Sequence, residues 1–170
     1  MLATNGRERV MADDDIIVSK TNLKGHLVYA NDVFLDIADF SLGEVLGKPH
    51  SVVRNPAMPR CVFRLLWETI QSGREIFAYV VNRTKGGDHY WVLAHVTPSR
   101  DEAGTVTGYH SNRRKPKPAA IAEISALYEI LLAEEDRHGN RKEGLEASYR
   151  LLHRLLEEKG VDYDRFVLSL

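Results

Sequence analysis

The sequence is poor in cysteine, in unbalanced charge and in long apolar runs. Cys61 is the only cysteine among 170 residues, so an internal disulfide is impossible and a reducing cytoplasm is the natural compartment. The formal net charge is −1, which provides no field to attract nucleic acid or an anionic membrane. No apolar run approaches the length of a membrane span, and the polar N-terminus lacks the apolar core of a signal peptide. These absences favour a cytoplasmic protein without nucleic-acid partners or a membrane span.

The familiar motifs of catalysis are also missing. The sequence contains no G-x-x-x-x-G-K phosphate loop, no H-E-x-x-H, no G-x-S-x-G and no C-x-x-C. His50, His89 and His95 are heme ligands in principle, but their spacing does not resemble a metal site. We therefore expect neither an enzyme nor a metalloprotein.

A strong hairpin signal lies near the middle of the chain. Residues 77–81 and 89–96 are rich in aromatic and β-branched side chains, which favour half-buried strands. Between them, residues 84–88 include Gly86 and Gly87, which adopt positive φ at no steric cost. A lone hairpin is marginal in water, so other elements must cover its apolar face.

The flanking sequence predicts those elements. We expect an N-terminal hairpin over residues 15–30, a helix capped by Asn31 or Asp32, a capping box at Ser41 and Glu44, an amphipathic helix between Pro59 and Gly73, and a fifth strand over 106–112. Strands at both ends with helices in one crossover indicate an α+β fold with a five-stranded antiparallel sheet. An apolar interior between sheet and helices is a place where a small molecule binds.

Composition divides the chain into four segments. Residues 1–12 form a loose lead-in or short capping helix, 13–114 the sheet domain, 115–118 a basic, proline-punctuated linker, and 119–170 a helical extension. The extension has two apolar stripes at helical spacing, one over residues 121–131 and one over 145–156. Because two such helices cannot bury their stripes alone, they either fold back on the sheet or pair with another chain. We predict a homodimer.

Four short segments together carry a family resemblance. They are Tyr29-Ala30-Asn31-Asp32-x-Phe34, Leu46-Gly47-Lys48-Pro49-His50, Val53-Arg54-Asn55-Pro56-x-Met58-Pro59 and Asn82-Arg83-x-Lys85-x-Gly87-Asp88-His89-Tyr90-Trp91-Val92. In this order, with Trp67 and Gly73 between the last two, they make residues 13–114 resemble a PAS domain of the aerotaxis-receptor subgroup.

The resemblance implies a sensor fold with a cofactor between the sheet and the crossover helices. In the aerotaxis subgroup that cofactor is FAD, whose redox state is passed to a signalling partner. The sequence departs from the subgroup at Asn55, where the family has His, at Ala57, where it has Asp, and around Ile76 and Phe77, where a Trp is missing.

Four candidate cofactor-binding residues follow from these motifs: Asn31, Arg54, Asn82 and Trp91. The planar fork of Arg54 suits a phosphate or carboxylate, and the alternative is an arginine that orders its loop. The Asn82 amide both donates and accepts, which suits a flavin ring edge, and the alternative is an amide satisfied within its strand. Trp91 is a stacking platform or, alternatively, part of the core.

We predict a cytoplasmic single-PAS sensor or adaptor that regulates a histidine kinase or a chemoreceptor-type partner through protein contacts. A change in the cavity would shift the central hairpin, then the strand at 106–112, then the linker and the C-terminal helices. One alternative is an FAD-binding redox or oxygen sensor of the aerotaxis type. Another is a scaffold without a ligand.

Overall fold

The computed structural model describes residues 6–170 and contains a five-stranded antiparallel sheet with the strand order β2-β1-β5-β4-β3. The strands are β1 (Ile17–Asn22), β2 (Leu27–Ala30), β3 (Ile76–Arg83), β4 (His89–Arg100) and β5 (Val106–Arg114). The helices between β2 and β3 lie in one crossover, so the predicted α+β fold class is confirmed.

The crossover contains α1 (Asp32–Ala38), α2 (Leu42–Val45), a 3₁₀ turn (His50–Val53) and α3 (Arg60–Gln71). Asn31 caps α1 by accepting from the Phe34 amide at 3.1 Å, and the predicted capping box of Ser41 and Glu44 opens α2. Gly73 follows α3 with a φ of 82°, a conformation that glycine adopts without strain. The ends of these helices are therefore fixed by residues that lie next to them in the sequence.

The hairpin of β3 and β4 is closed by the turn at residues 84–88. The Thr84 amide donates to the Asp88 carbonyl at 2.8 Å, and the Gly87 amide donates to the Thr84 carbonyl at 3.2 Å. Gly87 has a φ of 94°, so this turn needs a residue without a Cβ. The pair Val80 and Val92 lies in register at the centre of the hairpin.

The lead-in lies beside the start of β4. The Arg9 amide donates to the His89 carbonyl at 2.7 Å, and the His89 amide donates to the Arg7 carbonyl at 3.0 Å. Residues 6–12 contain no helix, so a capping helix is wrong for that part, and residues 1–5 lie outside the described residues.

The extension folds back on its own domain as α4 (Pro118–Asp136), α5 (Arg141–Lys159) and α6 (Tyr163–Leu168). The two predicted stripes are buried, with Ile124, Tyr128 and Leu131 on α4 and Leu152 and Leu156 on α5. Of the two alternatives for these stripes, the structure shows docking on the same chain. None of the helices within residues 6–170 is long and apolar enough to cross a membrane.

The C-terminal helices also cover the edge strand β3. The Phe77 amide donates to Asp164 Oδ1 at 2.9 Å, and the Tyr128 hydroxyl donates to the Tyr79 carbonyl at 2.6 Å. The edge strand therefore has its outward backbone groups paired by side chains rather than left open to another chain.

Candidate functional site

A cavity of about 620 Å³ lies between the inner face of the sheet and the crossover segment. This volume is within the range of small-molecule sites. The sheet contributes Val80, Ala94 and Val96, and α3 contributes Ile70 and Trp67. These side chains lie on one face because residues alternate across a strand and recur every three or four positions on a helix. The wall is therefore apolar and suits a flat or hydrophobic ligand.

A polar group lies on β1, the 3₁₀ turn and β5. Arg113 Nη2 donates to Ser19 Oγ at 3.1 Å and approaches His50 Nε2 at 2.5 Å. Burial, together with the positive charge of Arg113, lowers the pKa of His50 to about 3, so His50 is neutral and accepts from the arginine. Burial lowers the pKa of Arg113 to about 10, which leaves it charged at neutral pH.

Two polar atoms of this group are not satisfied by the described residues. Arg113 Nη1 and Ser111 Oγ are buried and have no hydrogen-bond partner there. Both residues line the cavity, and they lie two positions apart on β5, so they share its inner face. Buried donors normally have partners, so these two are ready for acceptor atoms of a ligand.

Three further arginines line the cavity, and each has a different environment. Arg54 lies over the Phe63 ring, with 4.3 Å from guanidinium carbon to ring centre, and burial lowers its pKa. Arg60 Nε donates to Glu135 Oε2 at 2.7 Å, and Arg64 Nη1 donates to Glu146 at 2.7 Å. The cavity is therefore basic, and two of its arginines are paired with acids of the C-terminal helices.

Of the four predicted cofactor-binding residues, Arg54 and Asn82 line the cavity. They also form an isolated backbone bridge between the loop and β3. Asn82 is buried, and its side chain hydrogen-bonds the Tyr90 hydroxyl on the paired strand. Part of its amide is thus already used inside the sheet.

Asn31 and Trp91 lie away from this cavity. Asn31 Oδ1 accepts from the Val18 amide at 2.9 Å as well as from α1, and its Nδ2 donates to the Ile16 carbonyl at 2.8 Å. Trp91 packs on the opposite face of the sheet, 6.3 Å from the Tyr128 ring. In this structure, Asn31 holds the start of α1 and Trp91 anchors α4.

Two of the three departures from the aerotaxis pattern lie in the loop before α3. Asn55 is buried, and its Oδ1 accepts from the Ala57 amide at 2.9 Å, so this side chain closes its own loop. Neither Asn55 nor Ala57 lines the cavity. The substitutions therefore change the loop rather than the cavity wall.

The remaining candidates for chemistry are dispersed. His95 stacks on Phe77 with ring centres 4.1 Å apart, its Nε2 pairs with Glu75 at 2.7 Å, and it is not one of the residues that line the cavity. Residues 6–170 contain no cluster of three or more groups that could hold a metal. Burial raises the pKa of Cys61 to about 12, which keeps this thiol unreactive at neutral pH.

Sequence reasoning missed Arg113, Ser111 and Ser19 as cavity residues. β5 is polar on both faces, so its alternation does not distinguish the inner side chains from the outer ones. The one available signal was the position of Tyr109, Ser111 and Arg113 at every second residue, and the strand was predicted to end at Asn112.

Comparison with known proteins identifies the family to which this chain belongs. Its sequence matches the PAS fold family over residues 27–113, so the chain belongs to the PAS family. It is 39% identical over 123 residues to the aerotaxis receptor of Escherichia coli K12, which covers 72% of this chain and 24% of the receptor. The chain thus spans about a quarter of that relative's length. The aerotaxis-like subgroup is supported, as the sequence predicted.

Another relative and a solved structure are also similar to this chain. Phototropin-1A of rice is 30% identical over 80 residues, which cover 47% of this chain and 9% of the phototropin. The light-oxygen-voltage domain from a study of a flavin analogue superposes with a TM-score of 0.56 at 22% identity, covering 68% of this chain and 86% of that domain. These similarities agree with the PAS fold of this chain.

Proposed function

We propose that this protein binds a small molecule in the basic cavity and reports its presence to a partner signalling protein through the C-terminal helices. The observation that carries the proposal is that the cavity and these helices share residues. Arg60 and Arg64 line the cavity and at the same time pair with Glu135 and Glu146, and Leu145 of α5 also lines it.

The joint between α3 and the extension is centred on Glu135. This buried carboxylate accepts from Arg60 Nε at 2.7 Å, from the Cys61 amide at 3.1 Å and from Ser148 Oγ at 3.0 Å. It therefore caps the N-terminus of α3 and holds α5 at once. A ligand that draws Arg60 into the cavity competes with this carboxylate.

Such competition gives two arrangements of the extension. A ligand shifts a conformational equilibrium only by its differential affinity for the two states. Here the difference comes from the arginines, which pair either with the helix carboxylates or with the ligand. A second route follows the chain, because β5 ends at Arg114 and α4 begins at Pro118.

The output is a change of protein contacts rather than a reaction. We propose a histidine kinase or a chemoreceptor-type protein as the partner, in the cytoplasm, in line with the aerotaxis-like subgroup. A homodimer remains part of the proposal. Because the helical stripes are buried in their own chain, the dimer would use another surface, and sedimentation of the full chain tests it.

Hydrogen exchange tests the proposed transmission. We expect Glu135→Gln to accelerate amide exchange across α4 and α5 and to change binding of the signalling partner. The matched control is Glu134→Gln, since Glu134 is adjacent but bonds to Arg137 at 2.9 Å on the surface. Equal exchange in the two variants would contradict the role of the joint.

A flavin, of the FAD type, is the second candidate occupant. The basic lining and unpaired donors fit such a group: Arg54 and Arg60 would hold its phosphates, and Asn82 its ring edge. A bound flavin would supply reversible redox chemistry. A yellow purified protein whose colour leaves with a small molecule on denaturation supports it. A colourless protein that releases no compound supports the ligand-free scaffold instead.

A further inference from the structure

Arg113 is a buried charge without a counter-charge. Its side chain is deep in the sheet, and the whole residue is 5% exposed. Its partners Ser19 and His50 are both neutral. Within residues 6–170, Nη1 has no hydrogen-bond partner at all. The Phe34 ring, 5.9 Å from the guanidinium carbon, adds only a weak attraction.

Among residues 6–170, no acid forms a salt bridge with Arg113. The charged residues of the described lining are all basic: Lys24, Arg54, Arg60, Arg64 and Arg113. The acids Glu135 and Glu146 are taken up by Arg60 and Arg64. A buried ion without a partner destabilises a fold, and an arginine does not escape by losing its proton at neutral pH.

The free donors define what binds there. Arg113 Nη1 and Ser111 Oγ lie on the same face of β5, and each can donate to an oxygen. Around Arg113, the two free donors and the single buried charge match the two oxygens and the single negative charge of a carboxylate. The apolar wall of Trp67, Ile70 and Val96 suits a hydrophobic or aromatic body.

We propose that the cavity binds a small-molecule carboxylic acid whose carboxylate contacts Arg113 and Ser111 and whose apolar body lies against α3. This inference rests on the proposed sensor function and specifies the chemical class of its signal. Neutralisation of Arg113 then contributes to the binding free energy, and the apolar body lies against α3, the helix that carries Arg60 and Arg64.

The test starts with the full chain purified without denaturant. The protein is then denatured, and the released compounds are analysed by mass spectrometry in negative-ion mode and by visible absorption. We expect about one equivalent of an organic acid from the wild type, none from Arg113→Met and a several-fold lower amount from Ser111→Ala. Lys24→Met is the matched control, because Lys24 is a cavity cation that is exposed, and it should retain the acid.

A second measurement, of the melting temperature, tests the proposal in variants that no longer bind the ligand. Wild type as purified should melt at a higher temperature than wild type stripped by unfolding and refolding, whereas Arg113→Met should melt at the same temperature before and after stripping. If Arg113→Met does not fold, Ser111→Ala with and without stripping gives the same comparison.

The outcomes separate this inference from the sensor function. Release of a flavin or of a neutral compound overturns the carboxylate assignment and leaves a ligand-binding sensor. Retention of the acid by Arg113→Met also overturns it. Release of no compound, with identical melting before and after stripping, overturns both proposals.

Discussion

Two buried charges, Glu135 on α4 and Arg113 on β5, differ in their hydrogen-bonding and charged partners. Glu135 accepts hydrogen bonds from a guanidinium, a helix-terminal amide and a hydroxyl. Arg113 contacts only neutral groups, and its Nη1 lacks any partner within the described part of the chain. A buried charge with a full set of partners locks two elements together, whereas one without a counter-charge marks a site for a ligand. The comparison therefore distinguishes the contact that holds the extension, at Glu135, from the proposed ligand site, at Arg113.

Removal of Glu135 should have the largest effect on stability. Glu135→Ala removes the buried carboxylate that accepts from Arg60, the Cys61 amide and Ser148, and we expect a loss of about 3 kcal/mol in the free energy of unfolding. Urea denaturation measures it. Glu134→Ala should change the free energy by less than about 0.5 kcal/mol, because this neighbouring acid is only half-buried and pairs with Arg137 and His138 next to it in the chain. Equal losses would mean that Glu135 is not a structural joint.

Removal of the charge of Arg113 should act in the opposite direction. In protein stripped of ligand, we expect Arg113→Met to raise the free energy of unfolding by about 1 kcal/mol, because an apolar side chain replaces an uncompensated ion. Denaturation of stripped wild type and variant in parallel measures the difference. A large loss instead would show that the bonds to Ser19 and His50 already stabilise the charge.

The hydroxyl of Tyr128 offers a smaller test of how the extension is held on the edge strand β3. Tyr128→Phe removes the bond to the Tyr79 carbonyl and the contact with the Tyr163 hydroxyl at 3.0 Å, at a cost of about 1 kcal/mol. Thermal denaturation monitors the loss. As a control, Tyr149→Phe removes a hydroxyl bonded to Glu68 on the exposed surface and should have little effect.

The smallest effect should come from the surface pair of Glu44 and Lys85. The bond from Lys85, followed by those from Ser41, lowers the pKa of Glu44 from 4.5 to about 2. A lowered carboxyl pKa contributes stability above pH 4.5 that is lost as the pH falls towards 2. Glu44→Gln should therefore slightly flatten acid denaturation between these values, and added salt should reduce the difference by the share that comes from Lys85. A difference that salt does not change at all would show that the Ser41 capping box, and not the ion pair, gives the whole effect.

Local patterns predicted most of the fold because they concern neighbours in the chain. The caps at Asn31 and Ser41, the turn with Gly87 and the stop at Gly73 each act within a few residues, so they are legible in the sequence. The site was harder to predict. Arg54 and Asn82 were reached through the family motif, whereas Arg113 lies on a strand that is polar on both faces, where alternation carries no information.

Local chemistry and motif spacing are enough to predict the order of the five strands, the amphipathic helices before α6, and membership of the PAS family. The last ten residues, which contain α6, have no such local signal. The three-dimensional packing alone fixes where the two helical stripes are buried, because an apolar stripe specifies burial but not the surface that buries it. It also decided which charges are paired, since Arg60 meets Glu135 across 75 positions of the chain. Such a pairing depends on the packing of whole elements.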